Sequence, residues 1–124
     1  MGRPVSPLFD TNILIDYLNG VPQARTELKR FDQWAISIIT WIEVIAGTTD
    51  EDEEETRSVL ADFACIPVTL PVAERAAQIR RTERLKLPDA TVLATAETGG
   101  HTLITRNMRD FNPRDPRVRV PYRL

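Results

Sequence analysis

The chain has 124 residues, 42% of them hydrophobic and 27% charged, with 16 basic against 18 acidic side chains, one Cys and one His. That length suits a single domain, here residues 1–124, burying roughly two thirds of its unfolded surface without help from disulfides or a structural metal. Cys65 has no partner for an internal bridge, Cys65 and His101 cannot assemble a four-ligand zinc site, and a net charge of −2 argues against holding nucleic acid by bulk attraction.

Short β-branched runs alternate with longer helical patterns. Leu8-Phe9 closes a first short strand, bracketed by Pro4 and Pro7. Thr11 to Leu18 puts Leu14 and Leu18 on one helical face and stops at Asn19-Gly20. A second helix starts near Pro22. Trp34 to Ile39 reads as a buried strand, and a helix from Thr40 to Ala46 follows, ended by Gly47. The acidic run Asp50 to Glu55 suits a solvated helix start, with that helix continuing through Asp62. Cys65 to Leu70 reads as a third strand, placed at a sheet edge by Pro67, with Cys65 as a small buried hydrophobe. Pro71 to Lys86 is helical, with Val72, Ala76 and Ile79 on one face and Arg80, Arg81 and Arg84 on a solvated one. The next helix starts at Pro88-Asp89 and stops at Gly99-Gly100, followed by His101 in a surface turn. Thr102 to Thr105 makes a fourth strand and Val118 to Val120 a fifth. Trp34 and Trp41, in apolar runs, are expected in the core.

Strands separated by helices make βαβ units, which predicts a three-layer α/β/α sandwich around a mostly parallel sheet of four to five strands. The least polar stretch, Ala35 to Gly47, is interrupted by Glu43 and falls short of the ~20 residues that cross a bilayer. The N-terminus lacks a signal-peptide core, so the cytoplasm is the expected compartment and no membrane partner is expected. Met1-Gly2-Arg3-Pro4-Val5-Ser6 fits the loose myristoylation pattern, which is set aside. From Arg106 to Leu124 six Arg face only Asp110 and Asp115, a polarity that can steer a polyanion.

In open parallel sheets, ligands gather outside the carboxyl ends of the strands. Asp10 follows the first strand, Asp89 begins a helix, and Asn107 and Asp110 follow the fourth strand. Glu43 lies in the apolar helix Thr40-Trp41-Ile42-Glu43-Val44-Ile45, where burying a carboxylate is costly without a cation or strong donors. Taken singly, Asp10 and Asp89 also fit helix N-caps, and Asp110 a turn. Together, converging carboxylates repel one another, and a divalent ion resolves the conflict. Oxygen ligands without thiol or imidazole select Mg²⁺ or Mn²⁺.

The segments resemble those of the PIN-domain ribonucleases, in particular the VapC-type toxins of prokaryotic toxin–antitoxin pairs. Phe9-Asp10-Thr11-Asn12 is similar to that family's first motif, and Ser37 to Gly47, with Thr40 three residues before Glu43, to its second. Leu87-Pro88-Asp89-Ala90 with Ala94 and Ala96 resembles the third, and Leu103-Ile104-Thr105-Arg106-Asn107-Met108-Arg109-Asp110-Phe111 the fourth. The likeness runs in order through essentially the whole chain. It departs at Asn107, where the family often has an acid, so either Asp110 or Asn107 completes the set.

The resemblance implies Mg²⁺-dependent endonucleolytic cleavage of RNA, with Mn²⁺ able to substitute, by a homodimer that a small VapB-type antitoxin inhibits. Asp10, Glu43 and Asp89 are the expected metal ligands and, with Asp110, the catalytic carboxylates. Thr11, Asn12, Thr40, Thr105 and Asn107 are expected to orient them, and Arg106 and Arg109 to take up RNA phosphates. Two other functions compete. An aspartate-nucleophile phosphatase needs a second Asp where this chain has Asn12. A catalytically inactive PIN-like module would bind RNA or a regulator without cutting.

Overall fold

The computed structural model describes residues 6–124. Pro4 and most of the myristoylation pattern lie outside the described residues. The elements are β1 (Pro7–Phe9), α1 (Thr11–Leu18), α2 (Pro22–Lys29), β2 (Ala35–Ser37), α3 (Ile38–Ala46), α4 (Glu53–Leu60), β3 (Ala64–Ile66), α5 (Leu70–Glu83), α6 (Leu87–Gly99), β4 (Thr102–Ile104) and β5 (Val118–Arg119). The five strands form one sheet in the order β3-β2-β1-β4-β5, and every pairing is parallel. Helices cover both faces, as the α/β/α expectation requires. No helix among the described residues is long and apolar enough to cross a membrane.

Alternation along the short strands builds the two cores. Leu8, Ala35 and Leu103 point to the face covered by α5 and α6, where they meet Val72, Ile79 and Leu93. Their neighbours Phe9, Ile36 and Ile104 point the other way, into a cluster with Ile13, Leu28, Val44 and Phe63 under α1 to α4. Phe9 packs edge-on against Phe31 and Phe63, with centroids 5.9 and 6.2 Å apart. Trp34 joins this cluster and donates its indole N–H to the Leu28 carbonyl at 2.8 Å. Trp41 is partly buried beneath the guanidinium of Arg57, 5.2 Å from the ring centroid.

Several boundaries differ from the sequence expectations. The expected strand Trp34 to Ile39 ends at Ser37, whose hydroxyl accepts from Ile39 N at 3.1 Å and starts α3 two residues early. The third strand ends at Ile66, before Pro67, and its edge position leaves Cys65 exposed rather than buried. The helix of the acidic run begins at Glu53, because Asp52 accepts from Thr49 N at 2.7 Å in a preceding turn, and it ends at Leu60. Helix α5 stops at Glu83, with Arg84 in the left-handed conformation.

Candidate active site

The chain moves outward from β1 to β2 to β3, then crosses back to pair β4 on the other flank of β1. The strand order therefore reverses between β1 and β4, where the carboxyl ends of the strands open a crevice. Asp10 stands there. Its N–H donates to the Ile104 carbonyl at 2.9 Å, and its side chain caps α1 by accepting from Thr11 N at 2.8 Å. Its other oxygen accepts from Thr105 Oγ1 at 2.8 Å and Asn12 Nδ2 at 3.2 Å.

Asn12 and Thr105 lock this corner together. Asn12 Nδ2 also donates to Thr105 Oγ1 at 3.2 Å, and Asn12 Oδ1 accepts from Arg106 N at 3.1 Å. Thr105 Oγ1 further accepts from Asn107 N at 3.0 Å. Every partner of the Asp10 carboxylate is thus a neutral donor. Burial raises its pKa against the pull of Thr105, Thr11 and Asn12, and the charge of Glu43 adds to the rise.

Glu43 lies across from α1, where Thr11 Oγ1 donates to its carboxylate at 2.7 Å. Thr11 Oγ1 also shares a hydrogen bond with Thr40 Oγ1 at 3.1 Å. The expected burial of Glu43 is corrected: α3 turns Thr40 and Val44 inward, while Glu43, Ile42 and Ala46 are exposed. Its carboxylate therefore keeps its water despite the apolar sequence around it.

Asp89 is the third residue of α6 and half-buried, with Lys86 rather than Asp89 at the N-cap. Burial first, then the charges of Asp10 and Asp110, push its pKa up to about 6. A side-chain hydrogen bond with Asp110 supports the protonated form. Asp110 is held by Asn107, whose Nδ2 donates to Asp110 Oδ2 at 2.9 Å and whose Oδ1 accepts from Asp110 N at 3.3 Å.

The two expected phosphate contacts separate. Arg109 is exposed and unpaired among the described residues. Arg106 instead grips Asp16, with Nε to Oδ2 at 2.5 Å and Nη2 to Oδ1 at 2.9 Å, and Asp16 also accepts from Tyr122 OH at 2.8 Å. The sequence reading missed Asp16 and Tyr122. Their only signals were an acid in the helix after Asp10 and a lone Tyr in the tail, too far apart in sequence to be paired by pattern.

Charge pairing sets the buried and part-buried acids of this corner apart from those elsewhere among the described residues. The buried carboxylates of Asp16 and Glu27 each take an arginine, Arg106 and Arg119. Glu97 takes Arg75 and Arg117, and Asp115 takes Arg117. Asp10, Glu43, Asp89 and Asp110 take none among the described residues. No three His, Cys, Asp or Glu side chains among the described residues stand close enough to form a finished metal cage. Asp89 feels the charges of Asp10, Asp110 and Glu43, and Asp10 that of Glu43, with oxygen donors only and no protein cation among them, a donor chemistry that suits a hard divalent ion.

A parallel sheet with carboxylates gathered at its strand-order reversal defines a class of α/β proteins with an acidic site at that switch point. Comparison narrows the class. The PIN domain family matches residues 8–112. Ribonuclease VapC10 of Mycobacterium tuberculosis is 31% identical over 123 residues, covering 93% of this chain and 92% of that protein. A chain of a toxin–antitoxin complex from Klebsiella pneumoniae superposes with a TM-score of 0.91 at 44% identity, covering 96% of this chain and 100% of that one. FitAcB from Neisseria gonorrhoeae superposes with a TM-score of 0.76 at 25% identity, over 95% of this chain and 99% of that one. The chain belongs to the PIN-domain family, among its VapC-type members.

Proposed function

We propose that this chain is the endoribonuclease toxin of a type II toxin–antitoxin pair, a cytoplasmic hydrolase that cuts RNA phosphodiester bonds with Mg²⁺, for which Mn²⁺ can substitute. The observation that carries this reading is the contrast in pairing: the buried Asp16 and Glu27 and the part-buried Glu97 and Asp115 take arginines, and the buried Asp10 and part-buried Asp89 and Asp110 at the β1/β4 switch take none among the described residues. Asp10, Glu43 and Asp89 would hold the ion, with Asp110 completing the set. When bound, such an ion lowers the pKa of a water and relieves charge on the departing oxygen.

The chain's own groups prepare for that chemistry. Thr105 Oγ1, Thr11 N and Asn12 Nδ2 fix both oxygens of Asp10, so its direction is set before any ligand arrives. Thr11, backed by Thr40, steadies Glu43. Asn107 supplies no negative charge. Its amide holds Asp110 in place, which favours Asp110 as the fourth acid. Arg109 is free to meet phosphate, while Arg106 anchors the loop through Asp16. An RNA substrate, a VapB-type antitoxin and a homodimer complete the proposal. The complex from Klebsiella pneumoniae supports the antitoxin, and the prevalence of two-fold assemblies supports the dimer.

Two linked experiments test it. Expression of the chain alone is expected to arrest growth, with relief from the neighbouring small reading frame. The purified chain is expected to cut RNA with Mg²⁺, stop in EDTA, and lose activity in Asp10→Asn with its fold intact. RNA left whole in both Mg²⁺ and Mn²⁺, or an Asp10→Asn variant of full activity, would overturn the reading.

A further inference from the structure

RNA that reaches the carboxylates must be gripped by cations, and much of the positive charge near them is already committed. Arg106 serves Asp16, and Arg119 serves Glu27. Arg117 spends its N–H groups on Asp115, Glu83 and Glu97. Arg80 donates to the Leu85 carbonyl at 2.7 Å. By contrast Arg84 and Lys86, like Arg109, are exposed and form no ion pair among the described residues.

Arg84 and Lys86 belong to the turn between α5 and α6, and Lys86 caps the helix that carries Asp89. Arg84 has φ 59° and is the one non-glycine residue in the left-handed region among the described residues. Glycine takes this helix-ending conformation freely, whereas an L side chain is penalised there. The turn is pinned on both sides of it, by Arg80 on Leu85 and by Arg117 Nη2 on Glu83 at 2.7 Å. An arginine thus occupies a place where backbone conformation favours glycine, and its side chain is left in solvent. The turn also faces the loop that holds Asp110. A crevice of about 150 Å³ lies between them, lined by Glu83, Leu85 and Leu93 and by Asp110, Phe111, Asn112, Asp115 and Arg117. Its one cation, Arg117, is spent on Asp115 and Glu83, so any grip on phosphate there must come from the exposed cations beside it.

We propose that the α5–α6 turn is the phosphate-binding wall of the RNA path. Arg84 and Lys86, on either side of the crevice-lining Leu85, hold the backbone at this turn, and Arg109, next to the crevice-lining Asp110, holds it from the neighbouring loop. The inference rests on the ribonuclease reading above.

The test measures binding of a fluorescein-labelled single-stranded RNA of mixed sequence, with Ca²⁺ in place of Mg²⁺, across about 50 to 200 mM salt. The variants are Lys86→Gln, the double variant Arg84→Gly with Lys86→Gln, and Lys29→Gln at the end of α2 as control. The double variant is expected to bind about tenfold more weakly and to lose about 1.4 from the slope of log affinity against log salt, since each phosphate contact on single strands contributes about 0.7. Lys86→Gln alone should lose about half of that slope, and it decides the matter even if the double variant folds poorly. Arg84→Gly made alone, for thermal melting, is expected to melt no lower than wild type, which separates a role in binding from one in folding. With Mg²⁺ restored, KM should rise and kcat hold. Affinity within about twofold of wild type in the double variant, or an equal loss in Lys29→Gln, would overturn the inference while the ribonuclease reading stands. A wild-type chain that binds no RNA would fail that reading, and this inference with it.

Discussion

Asp10 and Asp16 are buried alike, at 6% and 4% exposure, and the fold treats them in opposite ways. Asp16 receives a guanidinium and a phenol, and its pKa falls. Asp10 receives only neutral donors, and its pKa rises. Asp89, pushed up to about 6, keeps its proton in the folded state after the unfolded chain has lost it. Stability of the metal-free protein therefore falls as pH rises between about 4 and 6. Asp89→Asn removes that penalty. The variant is expected to be roughly 1 kcal/mol more stable than wild type at pH 7, solvent screening included, and no more stable at pH 4. Thermal melts at the two pH values check this; equal melting temperatures at pH 7 would count against a strained carboxylate. Asp10, Asp89 and Asp110 were legible in the sequence because a strand end or a helix start fixes where a residue goes. Their pairing state was not legible, because it depends on where each arginine lands.

Among elements, the link between α1 and the segment after β4 was the feature furthest from view in the sequence. Arg106 reads as a phosphate contact beside a conspicuous motif, yet the fold brings α1 against it and Asp16 captures it. The same pair ties the helix that starts at Asp10 to the loop that carries Asn107 and Asp110. Asp16 has a pKa below its ordinary 3.8, so its stabilisation is present above about pH 4 and is lost as pH falls through the lowered folded value. Asp16→Asn is expected to cost about 2 kcal/mol at pH 7, with the gap to wild type closing in acid. Denaturant titrations across that range measure it, and a gap that does not vary with pH would mean that the ion pair is not the cause. Helix α3 gives a similar lesson. Its apolar sequence suggested a buried Glu43, but Ser37 starts the helix early and Thr40 and Val44 take the inward positions.

For the molecule as a whole, alternating strands and helices sufficed to read a parallel α/β/α sandwich, because each short strand can be satisfied only by helices on both faces. The order β3-β2-β1-β4-β5 could not be read the same way, since it turns on which flank of β1 the chain returns to after α6. Nor could the spread of charge. The six arginines of the tail read as a polarity that can steer a polyanion, but Arg106, Arg117 and Arg119 are each bound to acids, which leaves Arg109, Arg114 and Arg123 exposed without an acid partner among the described residues. The fold and the carboxylate corner meet at the β1/β4 switch, which gathers acids that receive no arginine among the described residues and that, on the function proposed above, an external cation neutralises. Calorimetric titration of Mn²⁺ into the purified chain at pH 6 is the direct measurement. Saturable uptake with release of protons is expected for the wild type, and loss of that uptake for Asp10→Asn and Asp89→Asn. No uptake by the wild type, or the same uptake by both variants, would contradict it.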